Sequence, residues 1–258
     1  MKVLQITDSH LRPRSGQSLL GVDTAESLRA VLAQAFSEGK PELVVASGDL
    51  AHDPEVESYR RFQAVLRDFH QGATLYLSGN HDLSAPLVET LPGPDAMALG
   101  DWEVVGFDSH ADHQPEAELS AADLAALQDR VARSAARHLL LVCHHPPVDV
   151  GCPWLDKDRI KNGGELLEWL AENTRVRGVV FGHVHQVVER QHKGIAVLGT
   201  PSTCFQFAPG SARFAIDEAT GSRQPGYRWL ELQADGSIVS VVGRVAAYPM
   251  SIDLTDSD

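Results

Sequence analysis

Five short polar stretches of this sequence carry side chains that bind metal ions. They read TDSH (Thr7 to His10), SGDL (Ser47 to Leu50), SGNHD (Ser78 to Asp82), CHHPP (Cys143 to Pro147) and GHVH (Gly182 to His185). Oxygen and imidazole donors suit Mn, Fe or Zn better than Ca or Mg. Seven such donors exceed what one ion takes from a protein, so we expect a pair of ions. The seven donors are Asp8, His10, Asp49, Asn80, His144, His183 and His185.

Of the five stretches, GHVH indicates a metal site most specifically. A D-x-H or a G-D after a strand also occurs by chance or as a turn, but two imidazoles behind a valine run need polar partners or a metal to offset their burial. In an extended chain His183 and His185 would share one side, with Val184 facing the core. By the same alternation, Cys143 should point into packing, away from His144.

The elements around these stretches predict a mostly parallel sheet in the first half of the chain. In open α/β sheets, ligand sites gather beyond the carboxyl ends of strands, so the polar stretches should converge. Turn pairs such as Lys193-Gly194 indicate antiparallel hairpins in the second half. Asp23 and Ser120 are predicted helix N-caps. Strands are expected at 3–7, 43–46, 74–77, 102–107, 138–142, 179–181, 187–191, 196–198, 213–216, 227–232 and 237–242, and helices at 23–37, 55–69 and 120–135.

Length and charge set the class of protein. The chain has 258 residues, of which 43% are hydrophobic, with a formal net charge of −13. We expect one domain at 1–250 and a flexible acidic tail at 251–258. The charge disfavours nucleic acid as a partner, and the apolar runs are too short for a membrane span. The start of the chain enters a strand directly and the three cysteines form no C-x-x-C pair, so we expect a cytoplasmic location with reduced thiols.

The five stretches together resemble the calcineurin-like metallophosphoesterases, whose signature runs D-x-H, G-D, G-N-H-D/E, H and G-H-x-H. Four further blocks are similar to the bacterial class III 3′,5′-cyclic-AMP phosphodiesterases over nearly the whole chain: LLGVDTAESL (19–28), GCPWLD (151–156), NGGEL (162–166) and TPSTCFQF (200–207). The resemblance implies an α/β fold, the four-layer α/β/β/α sandwich of two mixed sheets flanked by helices. It also implies hydrolysis of 3′,5′-cyclic AMP to 5′-AMP by a bridging hydroxide between two metal ions, which would lower cellular cyclic AMP.

The same resemblance implies a role for each donor. Asp8, His10 and His185 would hold one ion, Asn80, His144 and His183 the other, and Asp49 both. Fe and Mn are the expected metals, although Zn or Co would also fit these donors. Asp82 would orient His81. The implied catalytic residues are His81, Asp49 and Asn80, and the implied substrate contacts are His10, Asp49, Asn80, His81, His144 and His185.

Other assignments remain open from the sequence. The partner would be a small cyclic nucleotide, but a glycerophosphodiester or 2′,3′-cyclic nucleotide substrate fits the same centre, as does, less well, a scaffold without catalysis. The oligomeric state could be monomer or homodimer. We interpret His145 as a hydrogen-bonded loop residue, and His52 and Asp53 as part of a helix entry in which Asp53 caps the helix. The segment 151–156, with Trp154 and Leu155, and the segment 204–207 would shape the base and ribose side of the pocket.

Overall fold

Eleven strands and five α-helices build the part of the chain that the structure, a computed structural model, describes: residues 1–114 and 116–255. The strands are β1 (Lys2–Ile6), β2 (Leu43–Ser47), β3 (Thr74–Leu77), β4 (Ala96–Leu99), β5 (Trp102–Gly106), β6 (His138–Val142), β7 (Val176–Phe181), β8 (Val188–His192), β9 (Ile195–Gly199), β10 (Gly226–Leu232) and β11 (Ile238–Arg244). The helices are α1 (Thr24–Glu38), α2 (Val56–Arg67), α3 (Ser84–Thr90), α4 (Ala121–Arg133) and α5 (Gly163–Glu172), with a 3₁₀ turn at Asp156–Asp158.

The strands form two mixed sheets. The first has the order β11-β10-β1-β2-β3 and the second the order β4-β5-β6-β7-β9-β8. In each sheet the central strands run parallel, β1 with β2 and β3 in the first and β5 with β6, β7 and β9 in the second. The strands β2 and β6 are buried along their whole length, which explains why they read as continuous apolar runs.

Three apolar cores hold four layers together. One core fills the space between the sheets, where Val3 and Leu43 of the first sheet meet Val142 and Val180 of the second. A second core packs α1 and α2 on the outer face of the first sheet, and a third packs α4 and α5 on the outer face of the second. The predicted α/β/β/α sandwich is therefore confirmed.

The predicted helix starts at Asp23 and Ser120 are confirmed by their hydrogen bonds. The Asp23 carboxylate accepts from the backbone N–H groups of Ala25 and Glu26, and Ser120 forms a capping box with Asp123. The cap proposed for Asp53 is wrong, because α2 begins at Val56 after Glu55 and Asp53 instead pairs with Arg12, whose Nε lies 2.7 Å from the Asp53 Oδ2.

Several elements differ from the sequence prediction. The short helix α3, the edge strand β4 and the helix α5 were not expected, since they are short or, for α5, begin with two glycines. The strand expected at 213–216 is wrong, because only an isolated bridge joins Phe207 to Ile216 there. Among the described residues, no helix is both long and apolar enough to cross a membrane.

The C-terminal segment packs on the loop before α1. The side chain of Ile252 joins a small apolar cluster around Leu19 and Phe205, and the Asp253 N–H donates to the Leu20 carbonyl oxygen at 3.0 Å. These contacts lie inside the stretch assigned to the tail at 251–258. Residues 256–258 of that stretch lie outside the described residues.

Candidate metal centre

The donor side chains lie on loops that leave the carboxyl ends of five parallel strands. β1 leads to Asp8 and His10, and β2 to Asp49, while Asn80 and His144 follow β3 and β6. The turn after β7 carries the last two, His183 and His185. Six of these seven residues are buried and Asn80 is half-buried. The structure therefore brings together all the donors that the sequence singled out.

One group of donors joins Asp8 with two imidazoles. The Nε2 atoms of His10 and His185 lie 3.2 Å apart, and the His185 Nε2 lies 3.5 Å from the Asp8 Oδ1. Adjacent ligands on one tetrahedral ion with metal–nitrogen distances of about 2.0–2.1 Å are themselves about 3.3 Å apart. The group has the spacing and the donor atoms of a transition-metal site.

A second group is centred on the amide of Asn80. Its Oδ1 lies 3.2 Å from the His144 Nε2 and 2.9 Å from the His183 Nδ1. Asp49 lies between the two groups. Its Oδ2 is 3.6 Å from the His10 Nε2 and 3.4 Å from the His144 Nε2. The same carboxylate oxygen is thus within reach of both groups.

Hydrogen bonds behind the donors orient the imidazoles. The Nδ1 of His144 donates to the Ser47 carbonyl oxygen and the Nδ1 of His185 to the Phe205 carbonyl oxygen, each at 2.8 Å. A histidine that donates from Nδ1 presents the lone pair of Nε2, which is the form that binds a metal. The Nε2 atom of His144 lies in the group centred on Asn80, and that of His185 lies in the group with Asp8.

Glycines allow the loops to approach the donors closely. A Cβ at Gly48, where φ is +97°, would lie 2.3 Å from the His144 Nδ1. A Cβ at Gly79 would lie 2.2 Å from the Asp49 Oδ1, and one at Gly182 would lie 2.0 Å from the Thr7 Oγ1. The glycine in each of the G-D, G-N-H-D and G-H-V-H stretches therefore leaves space that a side chain would fill.

The extended geometry expected for GHVH is wrong. The strand β7 ends at Phe181, and His183 and His185 have φ values of 64° and 48°. The left-handed backbone conformation of these two residues, and not the alternation of a strand, directs both imidazoles toward the other donors. Val184 is fully buried in the core of the second sheet, as expected, and Cys143 also lies in that core.

Burial and charge set the protonation of the donors. Burial opposes ionisation of Asp49, but His144 and His81 outweigh it and hold the pKa of Asp49 well below its usual value. Burial also disfavours the charged form of His144, yet Asp49 and Asp8 raise its pKa. For His10 and His183, burial prevails and lowers the pKa, to about 3 for His183. A metal ion would replace the proton that His144 otherwise holds against Asp49.

The structure places Asp82 differently from the sequence expectation. Its Oδ2 accepts from the backbone N–H groups of Leu50 at 3.1 Å and Gly79 at 2.9 Å, and its Oδ1 accepts from that of Ala51 at 3.0 Å. Through these hydrogen bonds Asp82 ties two donor loops together, and its side chain also bonds Tyr59, so it does not orient His81. The half-buried ring of His81 lies beside His10 instead, with centroids 4.8 Å apart.

Sequence reasoning missed that His52 lies beside the centre. Its ring stacks on His81 with centroids 4.9 Å apart, and burial lowers the pKa of His52 to about 4. His52 follows Asp49 closely in the sequence, and this short separation is the signal that could have revealed its position. The loop that carries both residues folds back over Leu11. His145 fits its expected role, because its Nδ1 lies 3.0 Å from the Ser109 Oγ in a buried hydrogen bond.

Aromatic side chains line one flank of the centre. The ring of Phe207 stacks on His185 with centroids 4.2 Å apart, and Trp154 and Phe214 contact Phe207 edge-on at 4.9 and 5.6 Å. Phe214, which the sequence analysis did not single out, is 48% exposed. The expectation that Leu155 and Cys204 line a pocket is wrong, because both are buried in apolar cores.

Comparison with known proteins points to one family. A sequence profile described as calcineurin-like phosphoesterase matches residues 1–187. A protein of Escherichia coli K12 named 3′,5′-cyclic adenosine monophosphate phosphodiesterase CpdA is 37% identical over 253 residues, which is 95% of this chain and 90% of that protein. A Nostoc protein named 3′,5′-cyclic-nucleotide phosphodiesterase alr5338 is 34% identical over 262 residues, covering 99% of this chain and 96% of its own.

Solved structures support the same fold. A dimetal phosphatase from Danio rerio superimposes with a TM-score of 0.67 at 13% sequence identity, covering 95% of this chain and 99% of that chain. At this identity the likeness bears on the fold alone. The resemblance drawn from the five polar stretches is confirmed: the chain belongs to the calcineurin-like phosphoesterase family.

Proposed function

We propose that this chain hydrolyses 3′,5′-cyclic AMP to 5′-AMP at a dinuclear metal centre. The observation that carries the proposal is the convergence of the seven donors into two groups that share the Asp49 carboxylate. The substrate is proposed because relatives that match nearly the full chain bear the names of cyclic-nucleotide phosphodiesterases. The chemistry requires one water, which adds hydroxide to phosphorus while the P–O3′ bond breaks.

The proposed ligand sets follow the two groups. Asp8, His10 and His185 would hold one ion, Asn80, His144 and His183 the other, and Asp49 both. When bound, two such ions supply a nucleophilic water of lowered pKa and offset the charge of the phosphate. Mixed nitrogen and oxygen donors favour Fe or Mn in this proposal, with Zn or Co as alternatives.

His81 has a separate proposed role. Its ring is half-buried beside His10, and its backbone N–H donates to the Asp49 Oδ1 at 2.9 Å, which fixes the loop without using the imidazole. The imidazole is therefore available to contact the phosphate and to donate a proton to O3′ as that oxygen leaves. General acid catalysis of this kind contributes about a hundred- to ten-thousandfold in rate.

The proposal predicts a substrate order that kinetics can test. Purified protein loaded with Mn or Fe should show a higher kcat/KM for 3′,5′-cyclic AMP than for 2′,3′-cyclic AMP or a glycerophosphodiester. Asp49→Asn should hydrolyse none of them above background, because both groups lose their shared charge, whereas Asp129→Asn on the exposed face of α4 should match the wild type. A higher kcat/KM for the glycerophosphodiester would reject the proposed substrate.

A further inference from the structure

Three imidazoles meet at one edge of the metal centre, on the loops that follow β1, β2 and β3. The rings of His52 and His81 stack at 4.9 Å, with an interplanar angle of 25°, and the ring of His10 lies 5.6 Å from His52 and 4.8 Å from His81. One nitrogen of each ring lies within 4.8 Å of the other two. This group, which we term the histidine cluster, contains two residues that the proposed ligand sets do not use.

The histidine cluster has unused binding capacity. The Nδ1 atoms of His10 and His52 are buried, and neither has a hydrogen-bond partner in the part of the chain that the structure describes. A buried polar nitrogen without a hydrogen-bond partner is energetically unfavourable. The cluster therefore holds donors that a further ligand could satisfy.

Imidazole nitrogens select a particular class of ligand. Three of them, with a water, make the tetrahedral set that Zn²⁺ accepts, and other late transition metals also bind imidazole well. Zinc needs adjacent nitrogens about 3.3 Å apart, so the nitrogens would have to close by up to about 1.5 Å. His52 and His81 are only half-buried, and rotation of their side chains can make this movement.

Side chains of both signs act on the histidine cluster. Arg12 places positive charge near His52, and its guanidinium is paired with Asp53 at 2.7 Å. The Asp49 Oδ2 lies 3.6 Å from the His10 Nε2 and adds negative charge on the other side. The carboxylates of Asp53 and Asp49 thus partly offset the positive charge of Arg12 near the three rings.

We propose that His10, His52 and His81 form an additional site for Zn²⁺, which fills when the metal is in excess and inhibits hydrolysis. An ion held by His81 withdraws that ring from the phosphate. His10 would bind this ion through Nδ1 and the ion of the Asp8, His10 and His185 group through Nε2, so its imidazole releases its remaining N–H proton to solvent and bridges the two ions as an imidazolate. The binding of the ion does not require catalysis, although the expected count of ions includes the two of the proposed centre. The inhibition rests on the proposed function.

Counting zinc ions tests the site directly. Apo-protein dialysed against excess Zn²⁺ should bind three ions per chain in the wild type and two in His52→Gln. His70→Gln, which removes a half-buried histidine that instead bonds the Ala73 carbonyl oxygen, should still bind three. Two ions in the wild type, or three in a folded His52→Gln, would overturn the proposal.

Inhibition provides the second readout. In enzyme loaded with Mn, added Zn²⁺ should inhibit the wild type and His70→Gln alike. His52→Gln should need at least tenfold more Zn²⁺ for the same inhibition. Without Zn²⁺, the turnover of His52→Gln should stay within a few-fold of the wild-type value. An unchanged inhibition constant in His52→Gln would contradict the model of inhibition. If three ions bind but cyclic AMP is not hydrolysed, the proposed function fails and the zinc site stands.

A measurement on the wild type covers the case in which His52→Gln does not fold. Diethyl pyrocarbonate modifies accessible imidazoles, and mass spectrometry locates the adducts. Excess Zn²⁺ should protect His52 and His81 at least fivefold, while His113, an exposed histidine outside the cluster, should react equally with and without Zn²⁺. Equal modification of His52 under both conditions would overturn the site.

Discussion

Backbone conformation holds most of the donor residues in place. Asp8, His10, Asp49, His183 and His185 all have φ between 47° and 64°, the left-handed region that residues other than glycine rarely adopt. Each such residue costs about 1–3 kcal/mol, which the surrounding structure must supply. Strain concentrated at five of the seven donors indicates that the loops are shaped by the centre and not by their own preference.

A methyl group at Gly79 should disrupt the centre. Its Cβ would lie 2.2 Å from the Asp49 Oδ1 and 2.7 Å from the His144 Nε2, so Gly79→Ala must displace both side chains. A shift of about 1 Å can cost about a hundredfold in rate, and we expect kcat/KM to fall by at least that much, with fewer than two metals bound. At Gly164 in α5 a Cβ would meet no atom of the described residues within 4 Å, so Gly164→Ala should retain full activity. Comparable activity in the two variants would contradict the close approach at Gly79.

His110 should contribute stability that depends on pH. Burial disfavours its charged form, but hydrogen bonds from Nδ1 to Asp108 at 3.1 Å and from Nε2 to Asp112 at 2.9 Å raise the pKa of His110 above its usual value. A raised pKa in the folded state stabilises the protein fully below about pH 6.5, and the contribution disappears as the pH rises through the folded-state pKa.

Urea unfolding can measure this contribution. His110→Gln should lower the free energy of unfolding by up to about 1 kcal/mol at pH 6 and by much less at pH 9, since the two carboxylates are about half exposed and screened by solvent. His113→Gln, a change in the same loop, serves as the matched control. If His110→Gln lost more free energy of unfolding at pH 9 than at pH 6, the predicted pH dependence would be contradicted.

Two loops, after β6 and after β9, supply the aromatic flank of the centre. Trp154 comes from the first, and Phe207 and Phe214 from the second, and their rings meet edge-on at 4.9 to 5.6 Å. With Phe207 stacked on His185, the flank begins at the proposed metal ligands and ends at the exposed ring of Phe214. A nucleobase attached to a phosphate at the centre could stack on this surface.

Removing the outer ring should weaken recognition of the base. Stacking of a base on an aromatic side chain contributes about 1–3 kcal/mol, so Phe214→Ala should raise KM for cyclic AMP about five- to 140-fold with little change in kcat. Inhibition by ribose 3′,5′-cyclic phosphate, which lacks the base, should be unchanged. Val241→Ala, which shortens a 55% exposed side chain on β11, serves as the matched control. An unchanged KM in Phe214→Ala would exclude this ring from the base site.

Across the whole molecule, both groups of donors join the two sheets. Asp8 and His10 follow a strand of the first sheet and His185 a strand of the second; likewise Asn80 comes from the first sheet and His144 from the second. Bound ions would therefore link the sheets at one end of the interface between them. Without ions, the buried Asp49 carboxylate has only the imidazoles and one backbone N–H as partners among the contacts described above.

Metal removal should lower thermal stability. A ligand that binds only the folded state at 100 times its Kd stabilises by about 2.7 kcal/mol, and each kcal/mol shifts Tm by about 2–4 °C in a chain of this size. Chelation should therefore lower Tm by about 10–20 °C for two ions, as measured by calorimetry. In Asp49→Asn, where we expect both ions to bind weakly, the difference in Tm should nearly vanish. Equal Tm values for apo and loaded wild type would argue against ions that link the sheets.

The sequence by itself determined the types of donor, their order and the fold class. These were predictable because the apolar runs of β1, β2, β6 and β7 are local, and each is followed by a polar stretch that carries metal-binding side chains. Only the tertiary structure decided the roles of Asp82 and His52, the exposed ring of Phe214 and the left-handed turns in GHVH. The physical reason is that these features depend on contacts between loops from different strands, and backbone hydrogen bonds, ring stacking and burial across such loops have no local pattern in the sequence.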